Sequence, residues 1–107
     1  RERIGGNLKV DMTIEEIVKK VSKVSNVPEK EIVGKSRKME ITQARQVSMF
    51  LSREILGKSL SGIGMYFGGR DHTTVMHAIK TISEKVNTDD VISNTISKLR
   101  TDLNQSF

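Results

Sequence analysis

The chain of 107 residues has no cysteine and no tryptophan, and only one proline. Without cysteine there is neither a disulfide framework nor a cysteine zinc site. One tyrosine and three phenylalanines are too few to dominate a core, so aliphatic side chains must build it. No apolar run approaches the roughly 18 residues of a membrane span, and no charged-then-apolar leader opens the chain. A cytoplasmic protein with no membrane span is therefore expected. Strand-like alternation, internal repeats and low-complexity stretches are also missing. So is a glycine-rich phosphate loop followed by Lys-Ser/Thr, and neither ATP binding, hydrolysis nor another cofactor is expected of this chain. His72 and His77 are five residues apart, about 500° of helical rotation. They do not share a face as metal-binding histidines at i, i+4 would. No metal site and no catalytic residues emerge, and the chain does not read as an enzyme.

What is present fits one domain. Hydrophobic residues make up 36% of the chain, enough for a modest core. Arg1 to Val10 reads as a polar lead-in, so residues 1–10 are expected to be residual linker from a longer protein, with the domain at 11–107.

The positive charge is localised. The chain carries 18 Lys+Arg against 13 Asp+Glu. Between residues 35 and 80 stand Lys35, Arg37, Lys38, Arg45, Arg53, Lys58, Arg70 and Lys80, opposed only by Glu40, Glu54 and Asp71. The remainder balances, so the whole excess sits in this segment. A solvated basic face would also look this way. A concentrated excess around a motif, however, is the footprint of a polyanion binder.

The motif is Gly68-Gly69-Arg70-Asp71-His72-Thr73-Thr74-Val75-Met76-His77-Ala78. Two glycines make a sharp turn, and Asp71 can cap a helix by accepting from the backbone N–H groups of Thr73 and Thr74. Val75, Ile79, Ile82 and Val86 then form one apolar stripe at helical spacing, with Thr73, His77, Lys80 and Glu84 opposite. His72, Thr73 and Thr74 face outward on the first turn, and side chains of this size suit base edges and phosphates. Ahead of the turn, Leu60 to Phe67 is a helix of about two turns, capped by Ser59 or Ser61. Gly62 and Gly64 weaken it by about 1 kcal/mol each relative to alanine, so packing must hold it. Short helix, glycine turn and polar-edged helix outline a helix-turn-helix. An ordinary capped surface helix is the competing reading.

Elsewhere, Thr13-Ile14-Glu15-Glu16 is a capping box, and Ile14, Ile17, Val18, Val21 and Val24 continue as a stripe to about Ser25. Lys19, Lys20 and Lys23 read as its solvated face. Asn26 ends that helix. Pro28 suits the first position of a short helical turn, which Gly34 stops. Lys35-Ser36-Arg37-Lys38 is an exposed basic loop of the kind that reaches phosphate or a minor groove. Ile41 to Leu56 reads as the central helix, with Ile41, Ala44, Val47, Ser48, Leu51 and Ile55 inward and Met49 and Phe50 extending that face. Arg45, Gln46, Met49 and Arg53 share a neighbouring flank. Arg45 and Arg53 lie about 12 Å apart along it, as a phosphate-tracking edge requires, with a salt bridge to Glu54 or Glu40 as the alternative. Gly57 ends the helix. Thr88 or Asp89 caps a last helix carrying Ile92, Ile96, Leu99 and Leu103, and Asn104 to Phe107 reads as a frayed tail. The fold expected is all-α.

The eleven-residue motif resembles the signature of the C-terminal DNA-binding domain of the DnaA family, bacterial chromosomal replication initiators. Ala44-Arg45-Gln46 with Met49 and Leu51 resembles that family's central-helix segment, and Ser59-Leu60 with Ile63-Gly64 its first reader helix. The resemblance covers roughly residues 12 to 103. It implies a compact six-helix domain with a Trp-repressor-like helix-turn-helix, downstream of an ATPase module. It implies sequence-specific binding of double-stranded DNA at a short element of the replication origin, the DnaA box. It also implies nucleoid association, and regulatory proteins that dock on the domain.

The resemblance places base contacts at Asp71, His72 and Thr73 in the major groove, Arg37 in the minor groove and Leu60 near a thymine methyl. Phosphate contacts are implied at Arg45, Gln46, Arg53, Thr74 and His77, with Lys35 and Lys38 from the basic loop. There are departures from the family pattern. Ala44 stands where many members have proline, and Ser61-Gly62 where Pro-Glu is usual. Met39-Glu40 thins a loop that is often more basic, which leaves Arg37 a larger share. A helix-turn-helix transcription regulator and a helical protein-interaction module are the alternatives to origin recognition.

Overall fold

The computed structural model describes residues 13–104. The expected linker at residues 1–10 and the end of the expected tail lie outside them. Six helices follow one another: α1 (Ile14–Ser25), α2 (Glu29–Ile32), α3 (Met39–Leu56), α4 (Leu60–Tyr66), α5 (His72–Thr88) and α6 (Asp90–Asn104). The fold is all-α, as expected, and no strand occurs among the described residues.

Local chemistry explains where the helices start and stop. Thr13 caps α1, its Oγ1 accepting from the Glu16 N–H at 3.3 Å. Asn26 ends that helix in the left-handed region at φ 60°, a conformation Asn tolerates better than most residues. Gly57 does the same for α3 at φ 64°. Ser59, not Ser61, caps α4 by accepting from the Gly62 N–H at 3.0 Å. Asp89 caps α6, accepting from the N–H groups of Val91 and Ile92 at 3.0 and 3.2 Å.

Some boundaries differ from expectation. Pro28 is the residue before α2 rather than its first member. α3 begins at Met39, two residues early, although Met39 is almost fully exposed. That early turn is supported by the Thr42 N–H bonding to the Lys38 carbonyl at 2.8 Å. α5 continues two residues past Val86.

The core collects one stripe from each long helix. Ile14, Ile17, Val18 and Val21 are buried from α1, and Ile92, Ile96, Leu99 and Leu103 from α6. Each such side chain contributes roughly 1.5–3 kcal/mol on burial. From α5, Val75, Ala78 and Ile82 are buried, while Ile79 and Val86 only rest against the core.

α3 lies in the middle and touches α1, α2, α4 and α5, as its broad apolar face requires. Two serines on it are fully buried. Their hydroxyls donate within the helix, Ser48 to the Ala44 carbonyl at 2.9 Å and Ser52 to the Ser48 carbonyl at 2.7 Å. With their polarity satisfied in this way, they act as small residues that admit neighbouring helices. Arg100 on α6 grips Glu54 of α3 with two nitrogens, at 2.7 and 2.6 Å.

Candidate nucleic-acid interface

The turn between α4 and α5 is built on one carbonyl. The Gly64 oxygen accepts from both the Gly69 and Arg70 N–H groups, at 3.0 and 2.9 Å. Gly68 and Gly69 reach that geometry at φ 86° and 78°, where a side chain would be strained. Gly64 itself meets the returning strand of the turn. A Cβ there would lie 2.0 Å from the Arg70 carbonyl oxygen, so only glycine fits. What looked like a weak point in a short helix is the contact that sets its angle to α5.

Asp71 caps α5 through Oδ1, 2.9 Å from the Thr74 N–H. That bond, with further help from the Thr74 side chain, holds the Asp71 carboxyl below its ordinary range. An ionised carboxylate is also favoured at the positive end of the helix dipole. With Val75 fully buried beneath, His72, Thr73 and Thr74 are exposed on the first turn. His77 and Lys80 are exposed one and two turns on. The expected outward edge is thus present, and Asp71 is at its tip. Leu60 is half-buried at the first turn of α4, its side chain leaning on the core.

Beside the turn lies the basic loop. Lys35, Arg37 and Lys38 are exposed, and Ser36 Oγ accepts from the Lys38 N–H at 3.3 Å. A groove of about 490 Å³ runs between loop and turn, lined by Lys35, Ser36, Arg37, Thr42, Arg45, Gly68, Gly69 and Arg70. Four of these eight residues are cationic and none is acidic. A second groove of about 290 Å³ takes Arg37 and Thr42 as one wall, with Met39, Gln43, Gln46 and Lys85 completing it. Arg37 therefore stands on the ridge between two grooves, and Gln46 is in reach of the same region.

The expected phosphate-tracking edge on α3 needs correcting. Arg45 is buried, with 6% of its surface exposed. Its Nε donates to the Ile32 carbonyl at 2.7 Å, Nη1 to Ser36 at 3.0 Å and Nη2 to Glu31 at 3.0 Å. Burial, and then the nearby Arg70 charge, lower its pKa from the ordinary arginine value. Three of five N–H donors thus bind carbonyls at the end of α2 and in the loop that follows. Arg45 holds the loop; it does not present an open guanidinium. Met49, placed on the same flank, is buried as well. Arg53 is exposed, and its Nη1 donates to the Lys58 carbonyl at 2.8 Å. It forms no ion pair with Glu54, which Arg100 holds instead. Neither groove includes Arg53.

Three residues were missed. Arg70 sits inside the motif, but in the sequence it shows only as charge, since nothing local marks where its guanidinium goes. Met76 is 48% exposed, one turn from His72 and Thr73 on the same edge. Its spacing of i+4 and i+3 was a usable signal. Lys85 enters only because α5 passes the start of α3.

A short helix, a closed glycine turn and a capped second helix with an open leading edge define a helix-turn-helix domain. Residues 14–82 match the family described as bacterial dnaA protein helix-turn-helix, and the chain belongs to that family. It is 42% identical over 97 residues to the chromosomal replication initiator protein DnaA of Limosilactobacillus fermentum, covering 91% of this chain and 22% of that protein. The DnaA of Ruegeria pomeroyi is 44% identical over 89 residues, 83% of this chain and 19% of the relative. That of Bifidobacterium animalis subsp. lactis is 41% identical over 96 residues, 90% and 16% respectively. The chain spans about a fifth of the length of these curated relatives. Among the described residues no helix is long and apolar enough to cross a membrane, and no three His, Cys, Asp or Glu side chains gather where a metal ion would sit.

Proposed function

We propose that this chain reads duplex DNA with two elements at once, at a short asymmetric site in a bacterial replication origin. The leading edge of α5 enters the major groove. His72 and Thr73 read base edges there with Asp71, and Thr74 and His77 hold the flanking backbone. Arg37 reaches into the adjacent minor groove, where a narrow, electronegative floor attracts a guanidinium. Lys35, Lys38, Gln46 and Arg53 add backbone contacts, and Leu60 lies against a thymine methyl. Arg45 acts beneath the surface by shaping the loop.

The observation that carries this reading is the cationic groove joining the basic loop to the glycine turn. It brings the two exposed elements together although about 30 residues separate them. The relatives are named as chromosomal replication initiators, which supports a site in an origin rather than in promoters generally. In this reading the chain contributes binding alone, with no cofactor and no catalysis, and works in the cytoplasm on the nucleoid.

Selection of bound duplexes from a random pool tests it. One short asymmetric element should be enriched, and footprinting should place its copies in the origin. Affinity should fall with salt at a log–log slope of about −4 to −5, as neutralising roughly five phosphates demands. A pool with no enriched element, or a flat salt response, overturns the proposal.

A further inference from the structure

We propose that Arg70 is a positioning residue that ties the minor-groove loop to the recognition helix. This rests on the two-element reading above. Its Nη2 donates to the Gly34 carbonyl at 2.8 Å, across 36 residues of sequence. Its Nη1 donates to the carbonyl of Phe67, the residue that ends α4. Its backbone N–H is fixed on the Gly64 carbonyl. The next residue is Asp71, the cap of α5. One guanidinium therefore links the end of α4, the start of α5 and the root of the basic loop.

The loop depends on such links because it has little structure of its own. Residues 35–38 adopt no helix or turn, and the one side-chain hydrogen bond made within them is that of the Lys38 N–H to Ser36 Oγ. Arg45 grips the loop from the α3 side through the Ser36 carbonyl. Arg70 grips its start from the α5 side. DNA is stiff on the scale of one site, so the offset between its two grooves is set before the protein arrives. A protein that reads both must hold its two readers at that offset. A guanidinium does so because its planar fork donates in two directions at once; a lysine ammonium on its flexible stem keeps the charge without that fixed fork.

Arg70→Lys separates the two roles open to this residue. A direct phosphate contact survives exchange for another cation, whereas a two-carbonyl clamp does not. For the duplex enriched from the random pool, Arg70→Lys should bind about tenfold more weakly. Arg37→Ala should cost little more in that background, because a displaced Arg37 has already lost its groove. In the free protein, backbone relaxation should show residues 35–38 more mobile in Arg70→Lys and unchanged in Lys35→Gln. Wild-type affinity in Arg70→Lys, or losses that simply multiply in the double variant, overturn the proposal. So does unchanged loop mobility.

The unaltered chain supplies a check that needs no variant. Backbone relaxation should show residues 35–38 as ordered as the flanking helices, and a mobile loop overturns the clamp. These two free-protein measurements need no DNA. A chain that binds no duplex, yet whose loop loosens in Arg70→Lys, refutes the DNA reading and leaves the clamp standing.

Discussion

The two exposed elements of this domain are built by opposite means. The leading edge of α5 is assembled from neighbours in sequence. Gly68 and Gly69 turn the chain, Gly64 accepts the turn, Asp71 caps the helix, and all lie within eight residues. The basic loop is assembled from a distance. Its carbonyls and those just before it are held by Arg45, 9 to 14 residues away, and by Arg70, 36 residues away. The local element presents polar side chains on a rigid helix. The distant one presents cations on irregular backbone, whose position is only as good as the two guanidinium groups behind it.

The contrast can be broken most forcefully at Gly64. Gly64→Ala should destabilise the domain by about 3 kcal/mol, near the upper end for overpacking, because the methyl meets backbone and not a movable side chain. Denaturant unfolding measures this, and a near-neutral result would mean the turn is looser than its geometry. Next is the distant element. Arg45→Met should cost about 2–3 kcal/mol, since the buried Ile32 carbonyl loses its side-chain donor and the loop its hold. DNA binding should fall through loop disorder and not through a lost phosphate contact, with preference relaxed at the minor-groove end as in Arg37→Ala. An Arg45→Met protein of unchanged stability but reduced salt slope would restore the phosphate role.

On the reading face itself, stability and binding should separate. Thr73→Ala should leave unfolding almost untouched and weaken the specific duplex by about 1–3 kcal/mol, with relaxed base preference at one position. Arg37→Ala should cost a similar amount and alter preference at the minor-groove end of the site. Equal loss of specific and unrelated duplexes removes either residue from base reading.

The smallest effect concerns Asp71. Its pKa is lowered in the folded state from an ordinary value of 3.8, so the carboxylate stabilises the α5 start fully above that value. The contribution is lost as pH falls through the lower folded value. The Thr74 amide resonance, followed by acid titration, should report this midpoint below 3.8. An unshifted midpoint would show that the cap bond does not persist in solution.

Much of the fold could be read beforehand because its signals are short-range. The caps at Thr13, Ser59 and Asp71 and the stops at Asn26 and Gly57 need only their own turn of helix. The apolar stripes of α1 and α6 became core, except that Val24 only packs against it. The α3 flank departs from expectation because Arg45 looks in the sequence like an exposed cation but is buried. Its burial is made by the segment from Glu31 to Ser36 folding over it. Met39 joins α3 although exposed, through the backbone bond from the Thr42 N–H to the Lys38 carbonyl, whereas Ala78 rather than Ile79 is buried in α5 because packing overrides local preference.

The order of residues alone dictated five helices, the helical turn after Pro28, the glycine turn and a basic middle segment, since caps, turns and periodicity act over a few residues. Which cations face outward, and where the loop stands beside α5, were decided only when helices packed. A buried carbonyl takes whatever donor the fold brings to it, and no spacing in the chain announces that donor.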